Sequence, residues 1–421
     1  MTCCAQQSVP SHVVSVTLSD AIKRAQSANN AYAAATSDSE VGQSERNIAR
    51  SALLPGVVYH NQYLYTQGTG GSSTPFRFIA NNAVHEYISQ ASITETFGGS
   101  GLASYMRAKA EAAAARARLE VARRGLVVSV VGDYYAVLAT EAKFAVAQRA
   151  LDEASRFGTV TRQREAGGEV AHADSVRADL QFQQRQRELN DARVGADRAR
   201  LDLGVLLFSD PTTPYELATS FEELPSLPSR PYVDTAAAAH NPDLKAAMES
   251  LHAAQLGVTA ARFAYFPDLT LNYSYGIDAA QFAVHAPDGA RNLGYSAAIT
   301  FDIPVWDWFA TRGRIHESAV RREQAKVELT VTQRQLIASL NEDYQEAQVA
   351  LDQLHLLDKS VQSATESLRL TNLRYSSGEG NVLEVVDSEN TLVLAESSRA
   401  DGAARYFNAL ADLQTLTGSM P

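Results

Sequence analysis

The clearest pattern in the chain is a strict alternation of apolar and polar residues in two segments of the C-terminal half. A period of two is typical of a β-strand with one apolar and one polar face, so we predict strands at about 268–278 and 294–305. The alternating apolar positions are Leu269, Leu271, Tyr273, Tyr275 and Ile277 in the first segment, and Tyr295, Ala297, Ile299, Phe301, Ile303 and Val305 in the second.

A weaker version of this pattern occurs in the N-terminal half. Val57, Tyr59, Tyr63 and Tyr65 lie two or four residues apart and predict a strand at about 56–66. A second strand is predicted at about 87–97, where the alternation is less regular. The segment between them is rich in Gly, Ser, Thr and Asn, as expected of an exposed loop. Each half therefore contributes two strands.

The rest of the chain has a helical pattern. No proline occurs between Phe76 and Asp210 or between Val305 and Met420, and both spans are rich in strong helix formers. Glycines interrupt each span near its middle, which predicts a turn between two long antiparallel helices. The predicted hairpins cover about 101–208 and 309–417, and such long helices need partners to bury an apolar stripe. The turn glycines are Gly167 and Gly168 in the first hairpin, and Gly378 and Gly380 in the second.

The two halves resemble each other. Residues 49–55 and 261–267 share the pattern Ala-Arg followed, after four intervening residues, by a Pro, and Asp133-Tyr134 matches Asp343-Tyr344. The offset of about 210 residues is too long for a solenoid repeat, so we predict a tandem duplication. A segment with five prolines joins the halves and suits an exposed linker. The predicted organisation is a first repeat at 1–210, a linker at 211–231 and a second repeat at 232–421.

Four amphipathic strands leave two interpretations open. Alternation alone favours a soluble sheet with one buried face. However, the strands carry many tyrosines and are followed by Trp306 and Trp308, as in the aromatic girdles of membrane barrels. Four strands cannot close a barrel, and open strand edges are not tolerated in lipid. If these strands cross a membrane, several chains must therefore combine them.

Composition and charge exclude several classes of function. The formal net charge of −11 argues against a nucleic-acid partner. The nine histidines show no metal-ligand spacing, and no run of 18 apolar residues indicates a transmembrane helix. The Gly-rich segment at 68–73 has no following Lys, so it does not predict a phosphate loop. We expect no enzymatic activity, no cofactor and no metal site. The adjacent Cys3 and Cys4 leave open a lipidated N-terminus.

Several loose motifs, taken together, resemble the TolC-like outer-membrane efflux family over about Val16 to Leu416. They are the duplication, the pairs Leu54-Pro55 and Phe266-Pro267 before the strands, Phe301-Asp302-Ile303-Pro304-Val305-Trp306-Asp307, Tyr375-Ser376-Ser377-Gly378 and Val382-Leu383-Glu384-Val385-Val386-Asp387. The resemblance implies a mainly α protein with membrane β-strands. Three identical chains form one 12-stranded outer-membrane β-barrel, which continues as a periplasmic α-helical barrel with a closed tip.

The resemblance also implies the function and the partners. The protein would be the exit duct of a tripartite efflux or type I secretion system, in contact with outer-membrane lipid. A periplasmic adaptor protein and an inner-membrane RND or ABC transporter would complete the system. The duct would conduct substrates passively through a lumen lined by the polar strand faces. The predicted lumen-facing residues are Thr270, Asn272, Ser274, Thr300 and Asp302.

The predicted gate lies at the helical tip. Glu384 and Asp387 are one helical turn apart, and threefold symmetry would form rings of carboxylates that prefer cations. From spacing alone, carboxylates that stabilise the start of a helix are the simpler interpretation. The resemblance favours the periplasmic entrance, because acidic residues at the matching positions form it in the family.

The resemblance further predicts a latch between Asp174 in the first hairpin and Tyr375 in the second. One departure from the family concerns Gly380, which stands where some members carry a basic residue. Arg162, Arg164 and Arg374 are candidates to replace that residue, and the sequence does not distinguish between them.

A second class of function remains open from the sequence. The chain could be a soluble periplasmic coiled-coil scaffold or adaptor with a small separate sheet. Adaptors also carry helical hairpins, but usually together with a lipoyl-like β-domain, for which no pattern is present. The duplication also argues against an adaptor.

Overall fold

The structure is a computed structural model that describes residues 14–65, 85–218, 221 and 224–418. The candidate lipidation site at Cys3 and Cys4 lies outside the described residues, as does the loop at 67–84. The first half contains β1 (Val14–Val16), α1 (Leu18–Ala28), α2 (Asn30–Ser51), β2 (Gly56–Tyr65), β3 (His85–Phe97), α3 (Gly99–Ala166) and α4 (His172–Leu207). The second contains β4 (Tyr215–Leu217), α5 (Arg230–His240), α6 (Pro242–Phe263), β5 (Asp268–Ala279), β6 (Leu293–Asp302), α7 (Ala310–Ser376) and α8 (Val382–Thr417).

The chain divides into two compact units. One unit comprises Ser37–Ala117 and Lys245–Thr332 and holds the four long strands. The other comprises Met1–Thr36, Arg118–Leu244 and Gln333–Pro421 and holds most of the two helical hairpins. Each unit contains segments from both halves of the sequence, so the compact units do not coincide with the two sequence repeats.

The four long strands form one antiparallel sheet in the order β2-β3-β5-β6. The two halves meet at β3 and β5, where Thr94 lies opposite Asn272. The strands β2 and β6 are the two edges of this sheet. On β6, Tyr295 and Ile299 are 75% and 76% exposed, so one chain leaves the apolar face of this strand uncovered.

The end of β6 differs from the sequence prediction. The alternation predicted a strand through Val305, but β6 ends at Asp302. Pro304 follows shortly afterwards, and proline has no N–H for a strand ladder. Beyond it the backbone of Trp308 and Phe309 has positive φ values of 53° and 64°, which an extended strand does not allow.

The second unit has a core that the sequence did not predict. The short strands β1 and β4 pair in parallel, with Val16 opposite Leu217. Tyr215 is only 5% exposed, and its hydroxyl donates to the Arg200 carbonyl at 2.8 Å. The Pro-rich linker is therefore partly packed and not wholly exposed. The core combines buried residues of β1, α1, α3, α4, β4 and α8, among them Val16, Val127, Tyr134, Leu203, Tyr215 and Phe407.

The helix α3 is apolar over part of its length. In the described part of the chain it is the one helix long and apolar enough to cross a membrane, with a mean hydropathy of 1.2 over 18 residues. Half of that window is buried within the protein. Val127 and Tyr134 of α3 belong to the core. A high hydropathy is therefore also expected of α3 as a core helix.

Both hairpins carry a pair of interacting carboxyl groups at duplicated positions. Burial raises the pKa of Asp343 on α7 to about 6, and the carboxylates of Asp412 and Glu342 add to the effect. Burial likewise raises the pKa of Asp133 on α3, with a contribution from Asp202 on α4. A carboxyl with a raised folded-state pKa destabilises the fold once it is ionised. For Asp343 this cost is absent below about pH 4 and complete above about pH 6.

We expect the Asp343→Asn variant to be more stable than the wild type at pH 8. The expected gain is about 1–2 kcal/mol, after allowance for partial exposure to solvent, because the amide removes the buried charge. Thermal unfolding at pH 8 and pH 5 measures it, and the gain should shrink at pH 5. Asp352→Asn, at an exposed position of α7, is the matched control. A lower melting temperature for Asp343→Asn at pH 8 would contradict the prediction.

Candidate gate at the helical tips

The two hairpin turns have the same backbone design. The Glu169 N–H donates to the Arg164 carbonyl in the first turn, and the Glu379 N–H donates to the Arg374 carbonyl in the second, both at 2.9 Å. Gly168 and Gly378 have φ values of 74° and 81°, a left-handed conformation that strongly favours glycine. The predicted tip glycines Gly167, Gly168, Gly378 and Gly380 all lie in these turns.

Gly380 is closely packed against the end of α7. A Cβ atom at this position would lie 3.0 Å from the Tyr375 backbone nitrogen and 3.2 Å from the Arg374 carbonyl carbon. Any side chain at this position would need the neighbouring backbone to give by a few tenths of an ångström. Gly380 itself offers no side chain for a polar link, so the candidates for such a link are the neighbouring arginines.

Glu384 takes part in the start of α8. Asn381 caps the helix, accepting from the Glu384 N–H at 2.9 Å and donating to its carboxylate at 3.1 Å. Arg374 forms an ion pair with the same carboxylate at 3.3 Å. The alternative of a helix-stabilising carboxylate therefore applies to Glu384. It does not exclude a role at the entrance, since the side chain is still 40% exposed.

Asp387 differs from Glu384. It lies one turn farther along α8 and is exposed. Within the described ranges, its carboxylate takes part in no hydrogen bond or ion pair, and only its carbonyl accepts from Thr391. Of the two predicted gate residues, Asp387 therefore has the free charge.

The predicted latch between Asp174 and Tyr375 is not formed within this chain. Tyr375 is 5% exposed, and its hydroxyl lies 3.2 Å from Thr161 Oγ1. The Asp174 carboxylate instead lies 3.9 Å from Arg177 in the same hairpin. Tyr375 is held by packing against Phe157, Val382 and other apolar residues at the tip, and this packing directs its hydroxyl to α3.

Arg164 makes the polar link between the two hairpins. Its guanidinium donates to the carbonyls of Tyr375 and Ser376 at 2.7 and 2.9 Å and lies 4.8 Å from the Tyr375 ring centroid. These carbonyls belong to the last turn of α7, which lacks the regular helical N–H donors and carries partial negative charge. The Tyr375 carbonyl also accepts from the Gly378 N–H at 3.2 Å. The Arg164 guanidinium supplies hydrogen-bond donors to these carbonyls and a positive charge at the negative end of the helix dipole.

The other two candidate arginines stay within their own hairpins. Arg162 lies 3.7 Å from Asp179 in the first hairpin, and Arg374 pairs with Glu384 in the second. Thr161 is a further tip residue, which the motifs of the sequence did not indicate. Its position one turn after Phe157 on α3 was the available signal, and its hydroxyl donates to the Phe157 carbonyl at 2.9 Å.

The predicted lumen residues share one face of the sheet. Thr270 lies opposite Thr300, and Asp302 lies opposite Asp268. Asn272 donates to Thr94 Oγ1 at 3.0 Å, and Ser274 donates to the Asn272 side chain at 3.1 Å. The sheet thus has a continuous polar face bridged by side-chain hydrogen bonds, opposite the tyrosine-rich face.

The family model described as "Outer membrane efflux protein" matches residues 21–207 and 235–419. The alkaline protease secretion protein AprF of Pseudomonas aeruginosa is 23% identical over 397 residues, which is 92% of this chain and 81% of AprF. The outer membrane protein OprJ of the same organism is 28% identical over 176 residues, 41% of this chain and 36% of OprJ. The chain thus spans about a third of OprJ and most of AprF.

Solved structures share the whole fold. The outer membrane protein VceC of Vibrio cholerae superimposes with a TM-score of 0.78 at 19% identity, covering 96% of each chain. These findings confirm the predicted resemblance, the TolC-like fold class and the outer-membrane location that extends into the periplasm. The chain therefore belongs to the outer membrane efflux protein family and is one of its outer-membrane exit channels.

Proposed function

We propose that three copies of this chain form one passive duct whose periplasmic tip is closed by contacts between the two hairpins. The sheet supports the association of chains. Its edge strands β2 and β6 each have a row of backbone N–H and C=O groups without a neighbouring strand in one chain. In lipid, such groups must be paired with another strand. Three chains with four strands each would close a 12-stranded barrel, with the tyrosine-rich face against outer-membrane lipid and the polar face toward the lumen.

The helix α4, in the unit that holds most of the hairpins, supports the same assembly. Five apolar side chains of α4 are 44–67% exposed in the single chain. Their spacings of four, or multiples of seven, place them on one face of the helix, as in coiled-coil contacts. A second copy of the chain is the partner that would bury this stripe along its length. The stripe consists of Val176, Leu180, Val194, Leu201 and Val205.

The proposed partners follow from the family. A periplasmic adaptor would join the tip to an inner-membrane RND or ABC transporter, which supplies energy and selects the substrate. AprF is named for the secretion of alkaline protease, so export of a protein is one possibility for this chain, beside efflux of small molecules. The duct itself would catalyse no reaction and would bind no nucleic acid.

The contact of Arg164 with the end of α7 carries the proposal of a closed tip. It joins the two hairpins at their distal ends, and such a joint must break before the hairpins separate. Tyr375 and Thr161 add a buried hydroxyl contact beside it. Glu384 and Asp387, repeated by threefold symmetry, would form the acidic rings of the entrance. The Asp174 side chain would remain available to a neighbouring chain.

Planar-bilayer recording and cell fractionation test this function. We expect the protein in the outer-membrane fraction, and we expect the detergent-purified form to insert as a channel of low conductance because the tip is closed. A monodisperse monomer in the soluble periplasmic fraction, with no conductance, would instead support a coiled-coil scaffold or adaptor.

A further inference from the structure

A cavity of about 250 Å³ lies between α3, α7 and α8. Part of its wall is apolar, formed by Val146, Ala150, Leu368, Leu392 and Val393. The rest of the lining is charged, formed by Arg149, Asp152, Glu153, Arg156, Glu389 and Glu396. The cavity is separate from the tip contacts and from the sheet residues.

Glu389 is the exceptional member of this lining. It is only 5% exposed, and neither carboxylate oxygen has a hydrogen-bond partner in the part of the chain that the structure describes. Buried carboxylates are normally paired or hydrogen-bonded, because removal from water without compensation is very unfavourable. An unpartnered carboxylate in a cavity wall therefore needs either a proton or a cation.

The neighbouring charges are already engaged with one another. Arg149 pairs with Glu396 at 3.0 Å, and Arg156 pairs with Glu153 at 3.2 Å. On α4, the buried Arg185 donates to Glu188 and Asn390, each at 2.5 Å. On α3, Asp152 accepts from Gln148 at 3.4 Å, and the residue from α7 is the uncharged Leu368. None of the nearby cations forms an ion pair with Glu389.

Burial raises the pKa of Glu389 to about 7, with Arg185 opposing the shift and Glu153 adding to it. Near neutral pH the carboxyl is thus poised between its two forms. A ligand cation that reaches it would displace the proton and stabilise the charged form.

We propose that this cavity binds a small organic cation, a primary ammonium group on an apolar body. Both Glu389 oxygens are almost wholly shielded in the ligand-free chain, so the side chain would turn toward the cavity for the ammonium to contact them. The body of the ligand would lie against the apolar wall. A volume of about 250 Å³ leaves room for a ligand of about eight to ten non-hydrogen atoms. A metal ion fits less well, because the described residues hold no group of three or more His, Cys, Asp or Glu side chains arranged for one.

Titration calorimetry of the full-length channel in detergent, in phosphate buffer at pH 8, tests this site with 2-phenylethylamine. We expect binding, and we expect 2-phenylethanol, which has a similar shape and no charge, to bind at least about tenfold more weakly. Glu389→Gln should raise the Kd for the amine by at least about tenfold. Glu366→Gln, at an exposed position of α7 outside the cavity, should leave the Kd unchanged.

The pH dependence separates a cation site from a plain apolar void. With a pKa of about 7 for Glu389, the amine should bind about tenfold more weakly at pH 6 than at pH 8 in the wild type. Glu389→Gln should lack this dependence. As a second variant that keeps the charge, Val393→Phe should fill the cavity and also abolish binding. No binding of the amine at pH 8, equal binding of amine and alcohol, or unchanged binding in Glu389→Gln would each overturn the proposal.

Discussion

Replacing Arg164 with alanine should raise the single-channel conductance several-fold over the wild type in planar bilayers. The variant loses two hydrogen bonds from a charged donor to the last carbonyls of α7 and a cation–π contact with Tyr375. Hydrogen bonds to charged groups contribute about 1.5–3 kcal/mol each, and about 1.4 kcal/mol changes an equilibrium tenfold. The closed tip should therefore lose most of its advantage over an open one.

Arg162→Ala is the matched control for this experiment. Arg162 lies on the same helix two residues earlier, but it pairs with Asp179 within the first hairpin. The Arg162→Ala variant also removes one positive charge from α3, but it breaks no contact between the hairpins. The conductance should therefore stay near the wild-type value. If the two variants conduct alike, or if Arg164→Ala stays closed, the link through Arg164 does not hold the tip.

The second large effect concerns block of the channel by multivalent cations. The variant Glu384→Ala/Asp387→Ala should raise the half-blocking concentration of a trivalent cation at least about tenfold, with assembly unchanged. Asp387→Ala alone should give most of this change. Its carboxylate is free, whereas that of Glu384 is bound to Asn381 and Arg374.

Glu366→Ala serves as the control for block, since it removes an exposed carboxylate from α7 away from the tip. Block titrations on single channels measure all four proteins. If the double variant is blocked at the wild-type concentration, the acidic rings do not form the entrance, and Glu384 serves only to start α8.

The sequence predicted those parts of the fold that depend on local patterns. Alternation at Leu269 to Ile277 identified a strand because a period of two fixes which side chains share a face. Gly168 and Gly378 marked the hairpin turns because a left-handed residue is needed there. The resemblance to TolC-like proteins then supplied how such elements assemble, which one chain's pattern cannot specify.

Long-range contacts were beyond prediction. The pairing of Val14–Val16 with Tyr215–Leu217 joins two three-residue strands almost 200 residues apart, and neither segment has a pattern long enough to identify. The burial of Glu389 was equally hidden, because a glutamate on a long helix is normally exposed.

The tip shows why a duplicated sequence can give unequal sites. Arg164 and Arg374 occupy equivalent positions in the two turns, and the carbonyl of each accepts from the matching glutamate N–H. Their side chains nevertheless differ in function, since Arg164 reaches the other hairpin and Arg374 binds Glu384 in its own. Backbone similarity therefore predicted the turns, whereas the partners of long side chains depended on packing around Tyr375.

The number of chains in the detergent-purified channel tests the central claim most directly. One chain supplies a four-stranded sheet with two open edges, so a closed membrane barrel requires several copies. Native mass spectrometry should give three times the mass of one chain, in a complex that resists heating in mild detergent. A stable monomer that needs no detergent would contradict the assembly and, with it, the duct.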